Sequence, residues 1–158
     1  MVGQVSKENA TLRQLGENTV GVHHSAWLPD FAPKPFRSHA AASPGHAVTD
    51  GERTPGKVAV FATCFVNYNE PGIGHDLLKV LDHNQIPYTL VEKEACCGMP
   101  KLELGDLDSV AELKAVNIPP LAKLAREGYA ILSAIPSCTL MFKQEIPLMF
   151  PDDADVKA

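Results

Sequence analysis

Four cysteines carry the clearest chemical signal in this chain. They are Cys64, the adjacent pair Cys96 and Cys97, and Cys138. The gaps between them, about thirty and about forty residues, each have room for one strand–helix–strand crossover, which takes roughly thirty residues or more. Because right-handed crossovers return the chain to the same end of a parallel sheet, we expect the thiols to meet at its carboxyl edge. Four converging thiolates are typical ligands of an iron–sulfur cluster or a zinc ion.

The elements that must position these thiols alternate between strand and helix. Short β-branched and aromatic runs predict strands at residues 57–63, 88–92 and 129–135. Apolar residues at helical spacing predict helices at residues 73–84, 106–117 and 138–150. Pro119 and Pro120 predict a kink or a break, after which residues 121–127 resume the helix. The order βαβαβα predicts an α/β fold, a parallel three-layer unit with the cysteines at the carboxyl edge of the strands.

Residues 1–56 differ from the rest of the chain. They contain five prolines and no clear apolar period, which predicts an irregular, linker-like arm with one short helix near residues 11–15. The sequence does not decide whether the large apolar residues of this arm pack on the sheet or on a neighbouring domain; they are Trp27, Leu28, Phe31 and Phe36. We therefore predict an irregular arm at residues 1–56 and a cysteine-rich domain at residues 57–158.

Composition excludes several classes of function. Lys and Arg number 14 against 19 Asp and Glu, and the formal net charge of −5 is unlike that of a basic nucleic-acid-binding surface. No apolar run is as long as a membrane span, and the first residues lack the apolar core of a signal peptide. We therefore expect a cytoplasmic protein, in which thiols stay reduced and a cysteine pattern indicates metal binding or catalysis more often than disulfides.

The adjacent cysteine pair predicts a turn. In an extended strand Cys96 and Cys97 would point to opposite faces, whereas Gly98 and Pro100 favour a turn in which both reach one site. Two neighbouring thiolates suit a multi-iron cluster better than a single tetrahedral ion, because they can bind different metals within it. Cys138 is predicted at a helix N-terminus, where unpaired amides favour a thiolate.

The residues alone leave other interpretations open. The cysteines could be buried apolar side chains, or one structural zinc site that organises the loops and docks a partner. Thiol–disulfide chemistry at the adjacent pair needs a strained ring, and a thiol nucleophile needs a positioned base, whereas His75 and His83 fall on a predicted helix as solvated side chains. Three polar residues after Cys64 are predicted to lie in a loop and to form a turn or donate to cluster sulfurs: Asn67, Tyr68 and Asn69.

Three separated stretches resemble a known family. They are CFVNYNEPGIGHDLLKVL at residues 64–81, EACCGMPKLELGDL at residues 94–107 and AIPSCTLMFKQEIPLMFPDD at residues 134–153. In this order they resemble the cysteine-rich CCG domain family, which includes the B subunit of heterodisulfide reductase and the glycolate oxidase iron–sulfur subunit. Within it they are most similar to iron–sulfur-binding proteins of the type of the C subunit of anaerobic glycerol-3-phosphate dehydrogenase. The resemblance covers residues 57–158 and, more faintly, residues 21–36.

The resemblance implies a cofactor and its ligands. The cofactor would be a [4Fe–4S] cluster, with zinc as the alternative, and its ligands would be Cys64, Cys96, Cys97 and Cys138. Ile135 stands where the family has the first cysteine of a Cys-x-x-Cys motif, and the four remaining ligands suffice for an ordinary [4Fe–4S] cluster.

The resemblance also implies a role and partners. The chain would be a non-catalytic electron-transfer module of a respiratory or heterodisulfide-reductase-like oxidoreductase. It would pass electrons between a flavoprotein dehydrogenase and a quinone or partner cluster. Larger members of the family carry a ferredoxin-like domain and a second CCG domain, so the chain is expected to be a fragment of a larger subunit. Through such partners it would associate with the cytoplasmic face of a membrane.

Overall fold

The structure is a computed structural model that describes residues 9–41 and 56–158. Predictions about residues 1–8 and 42–55, which include part of the irregular arm, lie outside the described residues. The described helices and strands are, in chain order, α1 (Ala10–Val20), β1 (Val58–Val60), α2 (Cys64–Tyr68), α3 (Pro71–His83), β2 (Tyr88–Leu90), α4 (Met99–Glu103), α5 (Leu107–Arg126), β3 (Ala130–Leu132), α6 (Pro136–Leu140) and α7 (Ile146–Met149). A 3-10 turn (Phe36–Ser38) precedes β1, and a π-helical stretch (Met141–Glu145) joins α6 to α7.

The three strands form one parallel sheet in the order β2-β1-β3. Val58 of the central strand pairs with Tyr88 of β2 on one side and with Ala130 of β3 on the other. The chain returns from each strand to the next through helices, so all three carboxyl ends lie at one edge. The predicted parallel α/β fold is confirmed. Each strand has only three paired residues, fewer than predicted, and the residues that follow leave the ladder to form the loops at that edge.

Two apolar clusters cover the two faces of the sheet. Along the central strand and the residues after it, Ala59 and Phe61 belong to one cluster, whereas Val60 and Ala62 belong to the other. This alternation is the period of an extended chain, whose side chains point to opposite faces in turn. Buried residues of α5, α6 and α7 join the first cluster, and those of α3 join the second. The sheet is therefore the middle of three layers, as predicted.

One aromatic side chain anchors the segment before β1. Phe36 is fully buried in the cluster that contains the apolar residues of α3, whereas Trp27 is 82% exposed. Helix α1 is longer than the short helix predicted there; Asn9 caps it by accepting the Leu12 N–H, and it ends at Gly21 in the left-handed region. Because α1 has no buried residue, the packing of Phe36 attaches this segment to the core.

Of the kink or break predicted at the two prolines, the break does not occur. Helix α5 runs without interruption past Pro119 and Pro120. Each proline removes one hydrogen bond to the carbonyl four residues earlier. The neighbouring residues Ile118, Leu121 and Ala122 are buried against the sheet, and this packing outweighs the lost hydrogen bonds. Helix α5 is the longest described helix, and neither it nor any other described helix is long and apolar enough to cross a membrane.

Two further segments differ from the prediction. The residues after Cys64 form α2, where a loop was predicted, because the Thr63 hydroxyl caps the helix by accepting the Val66 N–H at 3.2 Å. The predicted C-terminal helix begins earlier, at Pro136, and contains the π-helical stretch just before α7. Pro147 lies just after the π-helical stretch, at the second residue of α7, and does not interrupt the helical run.

The packing of Phe36 against α3 gives a matched pair of predictions. A methyl group at Gly74 would lie 2.7 Å from two ring carbons of Phe36 and 2.8 Å from a methyl carbon of Val66. Both neighbours are buried and cannot move away. We expect Gly74→Ala to lower the free energy of unfolding by about 1–3 kcal/mol, measured by urea denaturation.

Gly72, two residues earlier in the same helix, is the control. A methyl group there meets nothing within 4 Å. Gly72→Ala should therefore raise the free energy of unfolding by about 0.5–1 kcal/mol, the usual helix preference for alanine. Equal effects at the two glycines would contradict the assignment of Phe36 to this position.

Candidate metal centre

Three loops at the carboxyl edge of the sheet carry the four cysteines. Cys64, which follows β1, is the first residue of α2. Cys96 and Cys97 follow β2 and come just before α4, and Cys138 follows β3 in the first turn of α6. All four thiols are free. Because the carboxyl ends of the three parallel strands share one edge, segments far apart in sequence deliver these thiols to one region.

The four thiols are close enough to influence one another's ionisation. The Cys138 thiol, acting as a hydrogen-bond donor, together with backbone N–H groups, lowers the pKa of Cys97 to about 6. The same contact with Cys97, and burial, raise the pKa of Cys138. Burial, and then the neighbouring Cys96, raise the pKa of Cys64. Without a cation, we therefore expect Cys97 to hold the thiolate, and metal binding would release the protons of Cys64 and Cys138.

The sulfurs lie in a chain of neighbouring contacts: Cys64 with Cys96, Cys96 with Cys97, and Cys97 with Cys138. Two thiolates bound to one tetrahedral zinc at about 2.3 Å lie roughly 3.8 Å apart. Within residues 9–41 and 56–158, the only group that brings three ligand atoms within 4.8 Å of one another is Glu17, His23 and His24, and no three cysteine sulfurs are that close. The pairwise contacts are those of ligands on one ion, whereas the lack of a close group of three is expected for a cluster, so the metal content decides between the two kinds of centre.

The centre is buried on one side and open on the other. Cys97 and Cys138 are each 4% exposed, whereas Cys96 is partly exposed and Cys64 is exposed. A cavity of about 490 Å³ opens beside Cys64 and Cys96. Its lining includes four charged side chains, which are Arg37, Glu92, Lys93 and Glu94, together with Asn67 and Tyr68. A group bound by the four thiols would be shielded by the core at one end and accessible from this cavity at the other.

Thr63 positions Cys64 through a strained backbone. Its φ of 69° is unusual for a β-branched residue, and the side chain is only 2% exposed. The hydroxyl caps α2, so Cys64 begins that helix directly after the sheet. Strained conformations persist where the surrounding structure determines them, and they occur often at functional sites. The position of Cys64 is therefore set by the fold.

The adjacent pair lies in an irregular segment, and the chain bends at Gly98 directly after it. Gly98 has a φ of 97°, a conformation that favours glycine. Asn117 of α5 holds the segment of the pair. Its Nδ2 donates to the Cys96 carbonyl at 2.9 Å, and its Oδ1 accepts the Ala95 N–H at 2.8 Å. Asn117 is fully buried, so these two bonds replace the water that its amide group loses on folding.

This arrangement makes a prediction for Asn117→Leu. Leucine would remove the hydrogen-bond partner of two partly buried backbone groups, the Ala95 N–H and the Cys96 carbonyl, and each loss is costly. We expect the free energy of unfolding to fall by about 1–3 kcal/mol, measured by chemical denaturation. The same change at Asn84, an exposed amide that donates to the Val80 carbonyl at a helix end, should alter it by no more than about 0.5 kcal/mol. Equal losses would exclude a specific role for Asn117.

A buried ion pair lies beside the cysteines. Arg37 Nη1 lies 3.1 Å from Glu94 Oε1, which is an ion-pair distance. The geometry of this contact is not that of a hydrogen bond. Glu94 also accepts the Ala62 N–H at 2.9 Å, and Arg37 donates to the Val91 carbonyl at 2.6 Å. Burial raises the pKa of Glu94, and the opposite charge of Arg37 limits that rise. The pair joins the segment before β1 to the loops that follow β1 and β2.

The polar residues after Cys64 have other partners than those predicted. The Asn67 side chain is buried and accepts the backbone N–H of Arg37 at 3.0 Å. The Asn69 amide donates to the Asp30 carbonyl at 2.6 Å. His75, predicted to be solvated, is partly buried and packs edge-on against the Phe36 ring at 5.1 Å, because Phe36 occupies that side of α3. His83 is exposed, as predicted.

Sequence reasoning missed Arg37, Glu94 and Asn117. Asn117 has a sequence signal, because it interrupts the apolar face of α5 seven residues after Val110 and four before Leu121. A polar side chain at such a position must find a buried partner. The other two have no local signal, since each depends on a contact with a distant segment.

The fold and the site together define a small α/β domain with four cysteines at its carboxyl edge. The model of one family, described as "Cysteine-rich domain" (CCG), matches residues 58–143. The chain belongs to this family, as the three motifs predicted. The matched residues include all three strands and all four cysteines. No solved structure gives a significant match.

Several curated proteins are similar to this chain. The C subunit of anaerobic glycerol-3-phosphate dehydrogenase from Escherichia coli (strain K12) is 28% identical over 137 residues, 86% of this chain and 34% of that protein. The B subunit of fumarate reductase (CoM/CoB) from Methanothermobacter marburgensis is 30% identical over 98 residues, 61% of this chain and 19% of the relative. An uncharacterized iron-sulfur protein of Methanocaldococcus jannaschii is 31% identical over 68 residues, 43% of this chain and 14% of the relative. The chain thus spans about a third or less of these relatives.

Proposed function

We propose that this chain is an iron–sulfur electron-transfer module. The observation that carries the proposal is the meeting of four free thiols at one sheet edge, where they lie close enough to shift one another's pKa values. The relatives support it, because their names describe an iron-sulfur protein and subunits of a dehydrogenase and a reductase. An all-thiolate donor set suits soft metals and clusters, and the four thiolates match the ligand number of a [4Fe–4S] cluster.

The ligands we assign are Cys64, Cys96, Cys97 and Cys138. When bound, a cluster would supply one-electron chemistry, and the chain would bind it, shield it and tune its potential. Burial of Cys97 and Cys138 excludes water from one end. The cavity beside Cys64 and Cys96 leaves the other end accessible, and we assign electron entry and exit to that side.

The partners we propose follow from the relatives and the open side of the site. A dehydrogenase or reductase subunit implies further subunits that exchange electrons with it. We propose a flavoprotein dehydrogenase as electron donor, and a ferredoxin-like domain, a second domain of this family or a quinone as acceptor. The charged side chains around the cavity suit docking that is reversible between electron transfers.

Anaerobic reconstitution tests the proposal. The whole chain, incubated with iron and sulfide and then desalted, should retain about four irons and four sulfides per chain and show the brown absorption of a cluster. Reduction should give a paramagnetic signal in electron spin resonance. Colourless, iron-free protein would contradict the proposal, and one zinc per chain without visible absorption would favour a structural zinc site instead.

A further inference from the structure

A second group of metal-ligating side chains lies far from the cysteines in sequence. Glu17, His23 and His24 each place a ligand atom within 4.8 Å of the other two. His24 Nδ1 is 2.8 Å from one oxygen of the Glu17 carboxylate, and His23 Nε2 is 3.7 Å from the other. Both histidines are exposed and Glu17 is partly exposed, so an ion could reach the group from solvent.

The local structure brings these three side chains together. Glu17 lies in the last part of α1, and Gly21, with a φ of 75°, ends the helix and reverses the chain so that the two histidines face it. Arg13 of α1 holds the returning segment by donating to the His24 carbonyl at 2.6 Å and to the Ala26 carbonyl. The three side chains are therefore already close together, and a metal ion would take the place of the proton between His24 Nδ1 and the Glu17 carboxylate.

Neighbouring hydrogen bonds hold these side chains in place. The Ser25 backbone N–H donates to His23 Nδ1 at 3.2 Å and Ser25 Oγ lies 2.8 Å from the same nitrogen, so a metal would bind at Nε2 in place of the proton there. Gln14 donates to the Glu17 carboxylate at 3.0 Å and holds its orientation.

We propose that Glu17, His23 and His24 form a binding site for a divalent transition-metal ion, with Zn²⁺ as the reference ion. Two imidazole nitrogens and one carboxylate are a known donor set for zinc, and such a site keeps a fourth position for water or for a ligand from another molecule. It contains none of the cysteines, and so it is independent of the cluster proposed above. Its exposure suits an ion that links this segment to a partner surface.

Zinc titration of the whole chain by calorimetry tests the site. Zinc also binds thiols, so the informative quantity is the difference between variants that share the same four cysteines. We expect His24→Ala and Glu17→Gln each to remove one bound equivalent of zinc or to weaken the binding of that zinc at least tenfold. Ser25→Ala should weaken zinc binding about tenfold, because Ser25 orients a ligand and does not itself bind the metal. His83→Ala, at an exposed histidine of α3, is the control and should change nothing.

Imidazole nitrogen resonances identify the ligands directly. On zinc addition, His23 Nε2 and His24 Nδ1 should shift in long-range ¹H–¹⁵N spectra, while the His83 nitrogens stay in place. Equal zinc stoichiometry and affinity in the unmodified chain and in the His24→Ala variant would overturn the proposal. Shifts confined to other histidines would do the same. Neither result bears on the cysteines, so failure here is separate from failure of the cluster proposal.

Discussion

Replacing Cys97 with alanine is expected to remove most of the iron that the reconstituted protein retains. Cys97 interacts with Cys96 on one side and Cys138 on the other, and its pKa of about 6 makes it the thiolate available to a metal at neutral pH. It is also buried, so water or a solvent thiol cannot readily take its place at the metal. We expect iron content to fall by more than about fivefold, measured by iron and sulfide analysis after anaerobic desalting.

Met99→Leu is the matched control for this variant. Met99 lies two residues away in the same turn, is buried in the same cluster and carries a thioether, which is not an iron–sulfur ligand. The change conserves volume and should cost less than about 1.5 kcal/mol while leaving the iron content unchanged. Unchanged iron in Cys97→Ala would refute the ligand assignment. Loss of iron in both variants would show that packing of the turn, and not ligation, controls retention.

Much of this site could be predicted because its elements follow local rules. Apolar periods of two and 3.6 residues predict the strands and helices, and parallel crossovers require the loops after the strands to share one edge. The position of Cys138 in a first turn and the left-handed Gly98 also follow from nearby residues. Convergence of the thiols therefore needs only the order of the elements and the right hand of their connections.

The parts that could not be predicted depend on contacts between distant segments. Pro119 and Pro120 break isolated helices, and only the burial of their neighbours keeps α5 continuous. Phe36 comes from a proline-rich segment without a period, yet it fills the space beside Gly74 of α3. Arg37 and Glu94 are separated by more than fifty residues, and no local pattern pairs them. These are tertiary contacts, and local sequence patterns carry no information about them.

Replacing Arg37 with methionine is expected to lower the free energy of unfolding by about 2–4 kcal/mol at pH 7.5. The Glu94 side chain is only 8% exposed, so loss of the guanidinium leaves a buried carboxylate without a counter-charge. Removing one partner of a buried pair typically costs about 3–5 kcal/mol, and we reduce that range because the Arg37 side chain is 26% exposed. Guanidinium chloride denaturation of the whole chain measures the loss.

The loss should depend on pH in a direction set by Glu94. Burial already raises its pKa above the ordinary value of 4.5, and removal of Arg37 removes the charge that limits the rise. The folded state then binds more protons than the unfolded state, so stability decreases as the pH rises between the two pKa values. The part of the stability loss that comes from the Glu94 charge is absent below the pKa of Glu94 in the unfolded chain. It is complete once the pH has passed the pKa of Glu94 in the folded variant. Arg37→Met should therefore be less destabilised, relative to the unmodified chain, at pH 5 than at pH 7.5.

The double variant separates the buried charge from the lost packing. With Glu94→Gln present, no carboxylate remains to be stranded, and the glutamine oxygen can still accept the Ala62 N–H. We expect Arg37→Met to cost at least about 1 kcal/mol less in the Glu94→Gln background, and the pH dependence of that cost to disappear. Additive costs at both pH values would show instead that Arg37 acts through its hydrogen bonds to the Val91 and Glu92 carbonyls and not through its charge.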